Sequence, residues 1–230
     1  MATVTFFPVP SGGTPSTENT VLAAAQTINA NLLQTAFLNS FGTNVLHDTT
    51  GTVSGTIAFD LTVNGAVVNL NSTATANRSA FVCNKNQNGL ITSISAHPWY
   101  AEVNAKIGTA VDSVGRIACI ALSGSTEDIV FGAFGAVDTV NLSLQIRGAG
   151  TTNVTTTTPI DTAAYHRYGI GFDGTTIGMY YDGVRIQTST TLTNLTAQFG
   201  YVYSMVGNAA TAANRQLIID YQAVVTKVAA

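Results

Sequence analysis

From about residue 50 onward, apolar and polar side chains alternate with a period of two. In TVNLSLQIRG, Val140, Leu142, Leu144 and Ile146 fall on one face, and Asn141, Ser143, Gln145 and Arg147 fall on the other. That is the pattern of a strand with one face in a core. WYAEVNAKIG repeats it, with Trp99, Ala101, Val103, Ala105 and Ile107 facing inward and Glu102, Asn104 and Lys106 outward. TIAFDLTV, GRIACIAL, DIVFGAFG, AQFGYVYSMV and QLIIDYQAVVTKV are further strand candidates. Short strands separated by turn signals predict an antiparallel sandwich or barrel. The Thr-rich GAGTTNVTTTTPID, residues 148–161, suits either a long surface loop or a strand edge, because β-branched threonine accepts extended backbone.

The first 45 residues read differently. ATVTFFPVPSGG starts β-like and breaks at Pro8, Pro10 and Gly12-Gly13. Beyond it Val21, Ala25, Ile28, Leu32 and Ala36 recur at helical spacing, and Gly42 follows. Thr14 or Ser16 can cap, Pro15 fits a first turn, and Glu18 complements the N-terminal dipole. These signals predict one helix within residues 17–38. The expected organisation is an arm and helix for docking or oligomerisation, residues 1–45, and a β domain, residues 46–230. Phe6, Phe7, Val9, Leu22, Ile28 and Leu32 are the apolar side chains such an arm would dock with. The other reading of the arm is a strand completing its own sandwich.

The stretch YHRYGIGFDGTTIGMYYDGVRIQTS holds two Asp-Gly pairs, Asp173-Gly174 and Asp182-Gly183. Asp-Gly between alternating residues predicts a two-residue type I′ turn, because both positions need positive φ. Two such turns predict a three-stranded meander over residues 165–172, 175–181 and 184–189. Ile177, Met179 and Tyr181 then point one way, and Gly178 and Tyr180 the other. Gly169, Gly171 and Gly178 leave so little bulk on that second face that another group can lie close to the backbone.

Composition bears on partners. Only 9% of the residues are charged, against about 25% in ordinary soluble domains. A surface so poor in ions suits an assembly, and a homo-oligomer is the expected state, with a trimer as its form. The six arginines and three lysines are scattered, which argues against nucleic acid. No apolar run reaches the roughly 18 residues of a membrane span, and MATVTFFPVPSGGTPST has neither the basic start nor the apolar segment of a secretory signal. Cys83 and Cys119 are the two cysteines. Buried free thiols are the expected state, with a Cys83–Cys119 disulfide as the alternative.

With those residues in view, YHRYGIGFDGTTIGMYYDGVRI resembles the paired hairpins of the concanavalin A-like, laminin-G-like jelly rolls, and RQLIIDYQAVV resembles that family's last strand. The resemblance implies two curved antiparallel sheets over roughly residues 50–230, so the expected fold is an all-β jelly-roll sandwich with an N-terminal arm and one α-helix. Glycoside hydrolases of this superfamily carry a Glu-x-Asp-x-x-Glu cluster on one strand. Glu18, Glu102 and Glu127 do not stand in that pattern, and hydrolysis needs two carboxyls across the sugar. His166 matches the family's aromatic–His strand, which implies a role in holding that strand rather than in catalysis. Family members also bind calcium through loop oxygens, for which Asp112, Asp128 and Asp138 are the candidates. No other cofactor is expected. For a glycan, Trp99, Tyr100, Tyr180, Tyr201 and Tyr203 are the rings that could stack on a sugar.

Similar jelly rolls occur in bacteriophage capsid decoration, head-fibre and tail-fibre proteins. The resulting expectation is a non-enzymatic virion structural protein, a capsid cement or head fibre made in the host cytoplasm and partnered by other virion subunits. The alternative is a lectin-like, carbohydrate-binding module of a tail fibre that recognises host glycans.

Overall fold

The computed structural model describes residues 35–40, 56–60, 67–71, 79–83, 98–123, 128–189, 201–208 and 214–226. Among these residues there is no helix. The strands are β1 (Thr35–Ser40), β2 (Thr56–Asp60), β3 (Val67–Asn71), β4 (Ser79–Cys83), β5 (Trp99–Ile107), β6 (Gly115–Ser123) and β7 (Asp128–Phe134). They continue as β8 (Asn141–Arg147), β9 (Thr151–Pro159), β10 (His166–Phe172), β11 (Ile177–Tyr181), β12 (Val184–Ser189), β13 (Tyr201–Asn208) and β14 (Gln216–Thr226). Sheet A runs β12-β11-β10-β5-β14-β3-β2, with β1 also on β14. Sheet B runs β4-β13-β6-β7-β8-β9. All pairs are antiparallel, and the two sheets form the sandwich that the alternation predicts.

The core lies between the sheets. Trp99, Ala101, Val103, Ala105 and Ile107 of β5 meet Ile117, Ile120 and Leu122 of β6, Phe131 of β7, and Leu142, Leu144 and Ile146 of β8. Val140 does not follow its neighbours inward. It is 63% exposed and precedes β8, because Asp138 Oδ1 accepts the Val140 and Asn141 amides at 2.7 and 2.9 Å and holds that residue in a turn.

The chain 148–161 is a strand edge, not a loop. β9 ends sheet B, and its pairing with β8 slips: Asn141 faces Pro159 while Ser143 faces Thr155. Three residues of β9 therefore stand opposite Leu142. Thr156 turns its hydroxyl back to donate to the Leu142 carbonyl at 2.8 Å, supplying the bond that the ladder lacks there.

Two further differences are local. Residues 35–38, read as the end of the helix, belong to β1, which pairs with residues 221–226 of β14. Pairing along β14 outweighs a helical spacing that only Ala36 carried to that point. The rest of the expected helix lies outside the described residues. In the meander, Asp182 (φ 51°) and Gly183 (φ 79°) make the expected two-residue turn. At the first pair only Gly174 has positive φ (106°). The connection there spans residues 173–176, closed by the Asp173 amide to the Thr176 carbonyl at 3.3 Å and by Asp173 Oδ1 accepting the Thr175 and Thr176 amides.

One polar link crosses the core. Gln222 of β14 donates from Nε2 to Ser204 Oγ of β13 at 2.7 Å, and Ser204 donates to the Cys119 carbonyl at 2.5 Å. Cys119 is a free, buried thiol at a slip in the β6–β7 register, so Ser204 serves a carbonyl displaced from the ladder. Ser204→Ala removes that donor and is expected to cost about 1–3 kcal/mol, read as a lowered urea midpoint with unchanged slope.

Candidate functional site

β5 lies between β10 and β14, and its alternation puts Tyr100, Glu102 and Asn104 on the face of sheet A turned away from the core. On β10 they face Gly171, Gly169 and Arg167 respectively. On β14 the register slips between Ile219 and Tyr221, which sets Asp220 and Tyr221 side by side against Asn104. The extra residue reverses the inward phase of the strand, so Ile219 is in the core while Tyr221 and Ala223 join the outer face.

These strands converge on Glu102. The Tyr100 hydroxyl donates to Glu102 Oε2 at 2.7 Å and the Tyr221 hydroxyl to Oε1 at 2.6 Å. Arg167 Nη1 lies 3.8 Å from Oε2. Asn104 Nδ2 donates to Asp220 Oδ2 at 2.9 Å, so a second carboxylate stands beside the residue two further along β5 from Glu102. Glu102 is 1% exposed although it points away from the core. Burial raises its pKa above the ordinary glutamate value, and Arg167 with the two tyrosine hydroxyls offsets part of that rise. Burial and then the neighbouring carboxylate hold Tyr100 firmly protonated. Glu102 is thus a carboxyl inclined to keep a proton, served by donors that tolerate either state.

Beside it the glycines let the Tyr100 and Tyr180 rings lie close to the backbone, as their spacing suggests. A Cβ at Gly169 would come 2.8 Å from Cζ of Tyr100, and one at Gly178 would come 2.9 Å from Cε2 of Tyr180. The two rings meet edge to face at 5.2 Å. Tyr180 is half-buried and faces Arg185, whose guanidinium donates to Thr176 Oγ1 at 2.6 Å and Asp173 at 3.2 Å. Asp173 is held down to about 2 by its turn amides.

At the other end of β10, His166 is gripped between Asp182 (Nδ1–Oδ2, 2.8 Å) and Asp161 (Nε2–Oδ2, 3.0 Å) and stacks on Tyr181 at 4.6 Å. Burial opposes its charge, but the two aspartates win and raise its pKa above 6.5. Both aspartates are lowered from 3.8. The imidazole's contribution to stability is therefore complete below about pH 6.5 and is lost as pH rises through its raised value. The aspartates' contribution is complete above about pH 3.8 and is lost as pH falls through their lowered values. The thermal midpoint of the wild type minus that of His166→Gln is expected to be largest between these limits and to shrink toward alkaline pH.

The expected site residues do not converge. Trp99 is 4% exposed in the core and stacked on Phe172, so its ring offers no open face to a sugar. Tyr180 is on the outer face of sheet A. Tyr201 and Tyr203 occupy β13 of sheet B, in register with Ser123 and Ala121. Phe6, Phe7, Val9, Leu22, Ile28 and Leu32 lie outside the described residues. Asp112 pairs with Arg215 at 2.6 Å, Asp128 pairs with Arg147, and Asp138 caps its own turn. Among the described residues no three His, Cys, Asp or Glu side chains come together to hold a metal ion. Arg167, Asp220 and Tyr221 are the site residues that the sequence reading missed. The detectable signal was the break of period two at Asp220 inside an apolar strand.

No protein-family model and no curated protein matches the chain. Solved structures do. A β-glucanase from Bacillus licheniformis aligns with a TM-score of 0.59 and 14% identity over 85% of this chain and 99% of its own. A glycoside hydrolase family 16 endo-glucanase from Bacteroides ovatus aligns at 0.57 and 12% over 81% and 98%. The Crh5 transglycosylase aligns at 0.58 and 13% over 87% and 88%. These likenesses show the fold alone, a jelly-roll sandwich of two antiparallel sheets. They also correct the expectation of a non-enzymatic virion structural protein: the three structures named are a β-glucanase, an endo-glucanase and a transglycosylase, each aligned over more than four-fifths of this chain, and the capsid and fibre context finds no support among them.

Proposed function

We propose that the protein is a carbohydrate-active enzyme that cleaves or transfers glycosidic bonds of a β-glucan-type polysaccharide lying across the outer face of sheet A, with Glu102 as proton donor. The observation that carries this reading is a carboxyl on the middle strand of the sheet, raised in pKa by burial and held by two tyrosine hydroxyls. A glutamate inclined by burial to keep its proton is what leaving-group protonation draws on. The named neighbours, a β-glucanase, an endo-glucanase and a transglycosylase, indicate the substrate class.

The acids are arranged differently from the Glu-x-Asp-x-x-Glu strand, because Asn104 and Ile107 stand where that pattern, counted from Glu102, has its aspartate and second glutamate. Asp220, brought beside Asn104 by the irregularity in β14, is the second carboxylate. Glu102 passes its proton to the glycosidic oxygen and the bond from that oxygen to the anomeric carbon breaks. Water or a sugar hydroxyl then adds to that carbon and gives its proton to Asp220. Because Glu102 is covered, the glycosidic oxygen must displace the Tyr100 or Tyr221 hydroxyl. Tyr180, half-buried beside Gly178, is the ring on which a neighbouring sugar stacks.

The test is incubation of the purified protein with mixed-linkage, β-1,3- and β-1,4-glucans, followed by chromatography of the oligosaccharides. New shorter or re-linked chains are expected. Unchanged polymer across the whole panel would overturn the reading.

A further inference from the structure

The clamp on His166 and the pair at Glu102 are parts of one structure. Asp182 Oδ2 contacts His166, while its Oδ1 accepts the Arg167 amide at 2.9 Å and its own amide donates to the Arg167 carbonyl at 2.9 Å. The next residue, Gly183, abuts the Arg167 guanidinium: a Cβ there would be 2.7 Å from Nη2. The turn that His166 anchors is therefore the wall against which the Arg167 side chain rests, and that side chain reaches Glu102.

We propose that Asp182 is a positioning residue for the Arg167–Glu102 pair, fixed by protonated His166, so that the arrangement at Glu102 follows the protonation of that imidazole. A doubly protonated imidazole donates to Asp161 and Asp182 at once, and a neutral one can donate to only one of them. When the proton leaves, one of those two carboxylates loses the imidazole donor, and Asp182 Oδ2 without it becomes a competing partner for the Arg167 guanidinium. The groups that face His166 are Asp161 from the preceding loop, Asp182 from the turn, Tyr181 of β11 and Tyr168 of its own strand. Around Glu102 they are Tyr100, Tyr221 and Arg167, with Asp182 acting at longer range. Loss of the imidazole charge therefore raises the affinity of Glu102 for its own proton.

This inference rests on the reading of Glu102 as the proton donor, but its test reads the carboxyl directly. The side-chain carboxyl of 13C-labelled Glu102, assigned by difference with Glu102→Gln, is followed by NMR against pH beside the His166 imidazole signals. Two inflections are expected for Glu102, its own and a smaller one coincident with the imidazole. In His166→Gln the smaller one vanishes and the main midpoint moves up. In Asp161→Asn, a change at a side chain that is 39% exposed, the smaller one shifts to lower pH together with the imidazole, which decides the matter even if His166→Gln fails to fold. A single inflection at the same pH in all three proteins would overturn the proposal. Inactivity toward every glucan would instead sink the enzymatic reading and leave this titration unaffected.

Discussion

Arg167→Met is expected to lower the stability of the fold by about 3–5 kcal/mol at neutral pH, the usual cost of stripping one partner from a buried ion pair. Methionine keeps most of the stem and removes the guanidinium, leaving Glu102 with two tyrosine donors and no positive charge. The carboxyl responds by holding its proton more tightly, and that fixes the pH dependence. A carboxyl whose folded pKa is raised costs nothing below its unfolded value near 4.5, and costs more as pH climbs toward the folded value. Urea titrations should therefore show a small loss at acid pH and the full loss at pH 8. Glu102→Gln together with Arg167→Met should recover most of it, because no charge is then stranded. Equal losses at both pH values, or no recovery in the double variant, would show that the guanidinium acts there through shape alone.

Glu102→Gln by itself is expected to reduce turnover of the polysaccharide by roughly 10²–10⁴-fold, the contribution of a positioned general acid, with KM near the wild-type value. Glutamine reproduces the shape of the neutral acid and can still accept a hydroxyl at its remaining oxygen, and the tyrosine opposite its amide can accept from it. Stability should consequently change far less than in the arginine variant. That separation of rate from stability is the informative result. Turnover within a few-fold of wild type would mean that the proton comes from elsewhere.

What the sequence revealed follows from how local each signal is. The second Asp-Gly pair fixed its own turn and the alternation of Ile177, Met179 and Tyr180, and three glycines marked the face against which Tyr100 and Tyr180 lie. At the first pair the same dipeptide gave a longer connection, because Asp173 caps two amides beyond it. Residues 35–38 carried helical spacing, yet form a strand because β14 offers them a partner nearly two hundred residues away. The site was the least legible part. Glu102 looked like a lone outward acid, since its tyrosine, arginine and second carboxylate arrive from β10 and β14. Only strand order and one slipped register bring them together, and neither is written in any short window. The likeness of the hairpins to the jelly-roll family carried the architecture and misled on role, because a fold does not fix the chemistry placed on it.

The slip at Thr156 has a consequence for the protein's behaviour in concentrated solution. A straight, uncharged, threonine-rich margin nine residues long is the kind of template on which foreign chains add and fibrils grow. The three crowded residues opposite Leu142, with one hydroxyl folded back into the sheet, bend that margin and leave only about half of it straight. A chain with so few ions to keep its copies apart thus gains, from backbone geometry alone, a safeguard against uncontrolled growth from that side.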